Sequence, residues 1–227
     1  MSPSDRVSPD ELGRLLALFV HDLRNPLAAI SMNAKVLEEV DPADPEAREI
    51  VADVQSATVE AERGVAQLGV IAEWLQGAVC PHPDIDPPGD LARALDAAAA
   101  RAGVVAAIGC PPGIVVRSAK RVSAVVEALL ANARDQASSE AIGVVVEVTV
   151  DEVRIEVQDG GIALTAEHAA LAFALAGQAE LRNLPRARYG RCAALFACRL
   201  AVESLGGTLA AGGEDGAAFF RVVLPLP

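Results

Sequence analysis

The sequence predicts an α+β fold in which an N-terminal helical hairpin is followed by a mixed α/β domain. Within the first 76 residues, two stretches repeat apolar side chains every three or four positions, which is the period of one helix face. Residues 80–89 are rich in proline and glycine, which indicates a linker. Beyond it, short valine-rich runs alternate with helical patterns and indicate a sheet covered by helices. We therefore predict a hairpin over residues 1–79, a linker over 80–89 and a second domain over 90–227.

The first helix is predicted to begin at Ser8. Its side chain can cap the helix, Pro9 suits the first helical position, and Glu11 completes a capping box. The spacing of the apolar side chains that follow is three or four throughout, which is typical of a helical bundle. This seam contains Leu12, Leu16, Phe19, Leu23, Leu27, Ile30, Ala34 and Leu37.

The second helix is predicted to follow a break at residues 40–45, with Asp44 as its cap and Pro45 at its first position. Because two helices alone bury little surface, we predict a homodimer in which two hairpins form a four-helix bundle. The seam of the second helix contains Ala47, Ile50, Val54, Ala57, Ala61, Val65, Leu68, Ala72 and Leu75.

The elements of the second domain follow from its turn residues and apolar periodicity. Ser118 is the expected cap of the helix that follows it. Predicted helices cover residues 90–101, 118–137, 165–176 and 191–205, and predicted strands cover 104–108, 114–117, 143–150, 153–157, 208–211 and 217–224.

Composition argues against several classes of function. A net charge of −12 disfavours binding to nucleic acid, and the densest basic group, at residues 182–191, is predicted to be a solvated loop. The four cysteines form no C-x-x-C pair, and Cys80 with His82 supplies too few ligands for a zinc site. Apolar runs are too short to cross a bilayer. These features predict a cytoplasmic protein with reduced thiols and no membrane contact.

His21 is the residue that most strongly indicates chemistry. It lies two positions from both Phe19 and Leu23, and each step of two turns a helix by about 200°, so the ring is predicted to point away from the seam. An exposed imidazole is a nucleophile near neutral pH. The carboxylate of Asp22 can hold a proton on one ring nitrogen, and Asn25 lies one helical turn further along the same face.

Residues 21–30, with the sequence HDLRNPLAAI, closely resemble the phosphoacceptor box of bacterial sensor histidine kinases. Histidine, acid, asparagine and proline all stand at the positions of that family. The resemblance implies that His21 is phosphorylated, that Asp22 assists, and that Asn25 helps phosphorylation or dephosphorylation of a partner. It also implies that the partners are response-regulator receiver domains.

In that family the following domain is a Bergerat-type ATP-binding α/β sandwich, and the order of the predicted elements is similar to it. Asn132 matches the magnesium-binding residue of the asparagine box. Ala128 stands where the family usually has asparagine or an acid, and the carboxylate of Glu127 lies about 100° around the helix from that position. Asp159 matches the residue that binds the adenine amino group, and Gly161 matches the first glycine of the same box.

The second glycine box, which resembles residues 190–195, keeps Gly190 but carries Cys192 and Ala194 in place of the other two glycines. Side chains at these positions block the approach of backbone N–H groups to phosphates. We therefore expect that no cofactor of the chain's own is required, and that Mg²⁺ is supplied by the receiver domain. If ATP is bound, the resemblance assigns it to Asn132, Asp159, Gly161 and Gly190, with Mg²⁺ on Asn132.

Three hypotheses about function follow from the sequence. The leading one is a histidine phosphotransfer protein that carries a phosphoryl group on His21 to or from receiver-domain aspartates. The second is a soluble ATP-dependent histidine kinase, which the presence of Asn25, Asn132 and Asp159 favours. The third is a non-catalytic dimeric pseudokinase scaffold that binds a receiver domain or another kinase.

Overall fold

The computed structural model describes residues 8–76, 87–136, 142–161, 164–181, 193–214 and 217–227. A helical hairpin followed by a mixed α/β domain confirms the predicted fold class. The helices in these ranges are α1 (Pro9–Leu37), α2 (Pro45–Leu75), α3 (Leu91–Ala102), α4 (Ala119–Gln136), α5 (Ala166–Ala172), α6 (Leu175–Leu181) and α7 (Ala194–Ser204). The strands are β1 (Gly89–Asp90), β2 (Ala106–Gly109), β3 (Val115–Val116), β4 (Ile142–Val148), β5 (Glu152–Asp159), β6 (Thr208–Glu214) and β7 (Ala217–Pro225).

Both hairpin helices begin at the predicted caps. The backbone N–H of Glu11 donates to the Ser8 hydroxyl at 3.2 Å, and the Ser8 backbone N–H donates to the Glu11 carboxylate at 2.8 Å. These bonds satisfy two donors at the helix start and lower the pKa of Glu11 from its ordinary value. Asp44 caps α2 by accepting from the backbone N–H of Glu46 at 3.0 Å. Local sequence signals therefore fix where each helix starts.

The buried face of α1 differs from the predicted seam. Leu15 and Leu18, which lie outside that seam, are buried together with Phe19, whereas the predicted Leu16 and Leu27 are 49% and 55% exposed. The three buried side chains form one cluster with residues of α7. One face of α1 therefore packs on the second domain, and much of the predicted seam is left at the surface of the single chain.

Helix α2 likewise has one face packed on the second domain and another face exposed. Ile71 of α2 is fully buried in the cluster with α7, and Trp74 meets Phe196 edge-on with ring centroids 5.6 Å apart. Val65, which belongs to the predicted seam, is 60% exposed. The hairpin and the second domain thus share an apolar interface that the periodicity alone did not indicate.

Five strands form one sheet in the order β2-β4-β5-β7-β6. Strand β2 runs parallel to β4, and the other neighbours are antiparallel. Val153, Ile155 and Val157 of β5 are fully buried and alternate with more exposed residues, so one face of the sheet is covered, by side chains of α3, α4 and α7. The opposite face carries charge pairs such as Arg154 with Glu147 at 2.8 Å. This arrangement confirms the predicted α/β sandwich.

The predicted helix over residues 165–176 is wrong, because the chain forms two short helices, α5 and α6, in this region. The turn between them brings the backbone of Leu171 against Gly177, where an added Cβ would lie 2.3 Å from the Leu171 carbonyl oxygen. Such an approach is open only to glycine. The sequence pattern continued across this break because both helices are apolar on similar spacings.

Strand β1 overlaps the last residue of the predicted linker. Gly89 pairs with Val116 and Asp90 pairs with Val115 in a two-stranded antiparallel ladder. Residues 80–86 of that linker lie outside the described residues. Asp90 then caps α3 by accepting from the backbone N–H of Arg93 at 2.8 Å. Across the described ranges, we find no helix with the combined length and apolarity needed to cross a membrane.

Candidate functional site

His21 lies near the middle of α1 with its side chain 51% exposed, as predicted from its distance to the seam. The side chain of Asp22, the next residue, is only 5% exposed. Ring atom Nδ1 of His21 lies 3.2 Å from Oδ1 of Asp22. With a proton on Nδ1, the ring donates to this carboxylate, which fixes the tautomer in which Nε2 carries the nucleophilic lone pair. Two consecutive residues of α1 thus provide an accessible imidazole, that of His21, and a buried carboxylate that orients it, that of Asp22.

Asn25 is exposed one turn after His21, and α1 continues through the buried Pro26 to Leu37. Residues four positions apart lie above one another on a helix face. The amide of Asn25 is therefore on the same side of α1 as the imidazole, in reach of a group that approaches His21 from solvent.

A cavity of about 780 Å³ lies between the hairpin and the second domain. Its lining includes Asp22 from α1, Asn132 from α4 and Ala194 from the start of α7. Asn132 is buried, at 6% exposure. The predicted magnesium residue and one position of the second glycine box therefore face the same space as the acid that contacts His21.

Asp159, which the resemblance assigns to adenine binding, is not among the described residues that line this cavity. Asp159 ends the buried row of β5, and its Oδ1 accepts a hydrogen bond from the backbone N–H of Gly161 at 2.7 Å. Neither residue is among the described residues that line the cavity with Asn132. Gly190 and Cys192 lie outside the described residues.

The start of α7 has an unusual backbone. Ala193 is fully buried and has φ +54° and ψ 35°, in the left-handed region that favours glycine. Ala194 follows with 8% exposure and lines the cavity at a position where the resemblance expects a glycine. The chain thus has a backbone conformation that favours glycine at Ala193 although alanine occupies the position.

Ala193→Gly is expected to change the free energy of unfolding by less than about 1 kcal/mol, because relief of the left-handed strain offsets the loss of a buried methyl group and the added freedom of the unfolded chain. Ala201→Gly, in the interior of α7 at 4% exposure, is the matched control and is expected to cost about 1–2 kcal/mol. Urea unfolding of both variants measures the difference. Equal losses would contradict the strained conformation of Ala193.

A cluster that the sequence did not reveal joins the two domains. Glu127 of α4 has a side chain 10% exposed, and its two carboxylate oxygens accept from Nε of Arg63 and from Nε of Arg101, each at 2.6 Å. Arg63 also donates to the backbone carbonyl of Arg101, and Arg101 donates to the hydroxyl of Ser123 at 2.7 Å. We call Arg63, Glu127 and Arg101 the clasp. Glu127 thus points in a different direction from Ala128, as helix geometry predicts. Its contact with Arg63 was not predicted, because Arg63 lies 64 positions earlier and no local sequence pattern indicates the contact.

The described cysteines take no part in this site. Cys198 is buried between α4 and α7, and burial raises the pKa of its thiol to about 12. Cys110 is a second free thiol, and partial burial raises its pKa as well. Cys80 and His82 lie outside the described residues, and the described part of the chain holds no group of three or more metal-ligating side chains.

Two family models match the chain. Residues 11–69 match the His Kinase A (phospho-acceptor) domain. Residues 118–227 match the histidine kinase-, DNA gyrase B-, and HSP90-like ATPase. Comparison with curated proteins gives no match. The first match contains His21, Asp22 and Asn25, and the second contains Asn132, Asp159 and Gly161.

Solved structures of histidine kinases share this architecture. Histidine kinase ThkA in complex with the response regulator protein TrrA is 16% identical, covering 96% of this chain and 63% of that one, with a TM-score of 0.58. Full-length ShkA in complex with AMPPNP is 20% identical, covering 97% and 46%, with a TM-score of 0.57. Histidine kinase AdeS of Acinetobacter baumannii is 14% identical, covering 91% and 98%, with a TM-score of 0.55.

At these identities the structural likeness shows the fold, and the two matched domains show the family. A phospho-acceptor hairpin carrying an exposed histidine precedes an ATPase-type sandwich in one chain. The chain therefore belongs to the two-component histidine kinase family.

Proposed function

We propose that this protein is a histidine phosphotransfer protein of a phosphorelay, which carries a phosphoryl group on His21 to or from aspartates of receiver domains. The observation that carries the proposal is the half-exposed imidazole of His21 held by the buried carboxylate of Asp22 at 3.2 Å. The reaction needs an accessible nucleophile in a fixed orientation, and the partner's aspartyl phosphate and Mg²⁺ supply the remaining groups.

In the proposed step, the lone pair of Nε2 of His21 attacks the phosphorus of a receiver aspartyl phosphate. A nitrogen–phosphorus bond forms, the bond between phosphorus and the aspartyl oxygen breaks, and the receiver carboxylate leaves with the electron pair. The proton on Nδ1 stays in place, so the ring gains positive charge as the phosphoryl group arrives. The Asp22 carboxylate beside Nδ1 stabilises that charge, and its burial strengthens the interaction. Asn25 is positioned to donate a hydrogen bond to a phosphoryl oxygen.

We also propose that two copies associate through the exposed apolar side chains of the hairpin. Leu16, Val20 and Leu27 of α1, with Val65 of α2, are between 49% and 60% exposed in the single chain. Exposed apolar rows on a two-helix hairpin are best buried by a second hairpin. Homodimerisation is typical of the matched phospho-acceptor domain.

ATP-dependent phosphorylation of His21 is the second candidate function. It is favoured by the cavity, which brings Asn132 and Asp22 to one space between the domains. Against it stands Ala194, which lines the cavity at a position where the family resemblance expects a glycine that lets backbone N–H groups approach phosphates. Asn132 would hold Mg²⁺ and Asp159 the adenine if nucleotide is bound.

Two labelling reactions separate the functions. We expect label to pass from a phosphorylated receiver domain to this protein, and we expect no label from radioactive ATP with Mg²⁺ in the absence of a receiver. Label from ATP on His21 would instead establish the kinase. No label from either donor, together with stable binding of a receiver domain, would favour the non-catalytic scaffold.

A further inference from the structure

The clasp joins helices of both domains, and the phosphoryl-transfer step does not use it directly. Arg63 belongs to the hairpin, whereas Arg101 and Glu127 belong to the second domain. Both oxygens of a carboxylate that is only 10% exposed accept charge-assisted hydrogen bonds. Such bonds are about twice as strong as neutral ones, and removing one partner leaves buried charge uncompensated. The contact is therefore well suited to hold the second domain on the hairpin.

Asp22 lines the boundary between the hairpin and the second domain. Asp22 follows an exposed histidine on α1, yet its side chain is only 5% exposed. It lines the interdomain cavity together with Ala194 of α7, and the same lining includes Arg63 and Arg101 of the clasp. Separation of the domains would remove one wall of this cavity and expose the Asp22 carboxylate more fully to water.

Exposure of Asp22 to water would weaken its effect on the tautomer of the His21 ring. While the Asp22 carboxylate is buried, its contact with Nδ1 at 3.2 Å favours one ring tautomer, whereas on full exposure the carboxylate is solvated and both tautomers of a neutral imidazole are populated. We infer that Glu127 is a positioning residue for phosphoryl transfer: through the clasp it holds the second domain over Asp22, which keeps the proton on Nδ1 and leaves Nε2 as the acceptor. This inference rests on the proposed function of His21 for its catalytic part only.

Glu127→Gln tests the inference, because glutamine keeps the shape of the side chain and removes its charge. Glu147→Gln is the matched control, since Glu147 pairs with Arg154 on the open face of the sheet, away from the hairpin. Trp74, the single tryptophan of the chain, contacts Phe196 across the interface and reports docking by fluorescence. The ¹⁵N chemical shifts of the His21 ring report its tautomer without any phosphorylation.

For Glu127→Gln we expect red-shifted Trp74 emission, a mixed His21 tautomer and about tenfold slower transfer from a phosphorylated receiver domain. Arg63→Gln should reproduce all three changes, and Arg63→Lys, which keeps the charge, should restore most of the wild-type behaviour. The control should match wild type. In wild-type protein, about 1 M salt, where the Debye length is about 3 Å, should move Trp74 emission in the same direction.

Unchanged Trp74 emission in both clasp variants would show that the clasp does not hold the domains together. A shifted emission with the wild-type tautomer, or with equal or faster transfer, would show that docking does not act on His21. If the wild-type protein accepts no phosphoryl group, the proposed function fails, while emission and ring shifts still decide whether Glu127 positions the imidazole.

Discussion

Replacing His21 with alanine is expected to abolish acceptance of the phosphoryl group, with a fall of at least about a thousandfold in the rate of transfer from a phosphorylated receiver domain. The ring is half exposed on α1 and contributes little to packing, so the free energy of unfolding should change by less than about 0.5 kcal/mol. Acid-labile label on the protein measures the first quantity, and urea unfolding measures the second.

His168 supplies the matched control for this experiment. It is a partly exposed histidine on α5, within the second domain. His168→Ala should accept label at the wild-type rate. If His21→Ala kept its label and His168→Ala lost it, the phosphoacceptor would lie in the second domain and the function proposed for the hairpin would be wrong.

Replacing Phe196 with alanine is expected to have the largest effect on stability. Phe196 is 1% exposed, meets Trp74 edge-on at 5.6 Å and lies beneath the guanidinium of Arg199 at 5.2 Å from its ring centre. Truncation removes most of a buried aromatic side chain from the interface between α7 and the hairpin. We expect a loss of about 3–5 kcal/mol in the free energy of unfolding.

Urea unfolding followed by circular dichroism measures this loss. Val150→Ala, at a side chain 93% exposed, is the control and should cost less than about 0.5 kcal/mol. A loss below about 1 kcal/mol for Phe196→Ala would mean that the interface between α7 and the hairpin contributes little to folding. Early red-shifted Trp74 emission, before the loss of helical signal, would indicate that the two domains separate first.

The parts of the fold that could be predicted depend on contacts between residues close in sequence. The capping box of Ser8 and Glu11 and the cap of Asp44 set the helix starts, and all three act within one turn. The exposure of His21 was predicted from its offset of two positions from Phe19, which is buried, because such a step turns the helix by about 200°.

The parts that could not be predicted depend on α7 and its neighbours. The periodicity of α1 fits several adjacent faces, and the face that contains Leu15 and Leu18 is buried in a cluster with Phe196 and its neighbours in α7. The burial of Asp22 was not predicted either, because Asp22 lines a cavity whose walls include residues of α4 and α7, which lie far from it in the sequence. The contact between Glu127 and Arg63 could not be predicted, because the two residues lie 64 positions apart and no local pattern links them.

The first turns of α1 carry two sets of apolar side chains on neighbouring faces. Leu15 and Leu18 are covered by the second domain, whereas Leu12 and Leu16 are 37% and 49% exposed in the single chain. If a second copy covers the exposed pair, this short segment has few positions left that tolerate polar substitution during evolution. A lineage that lost either interface would then be free to diverge on one face of these turns while the other face stayed apolar.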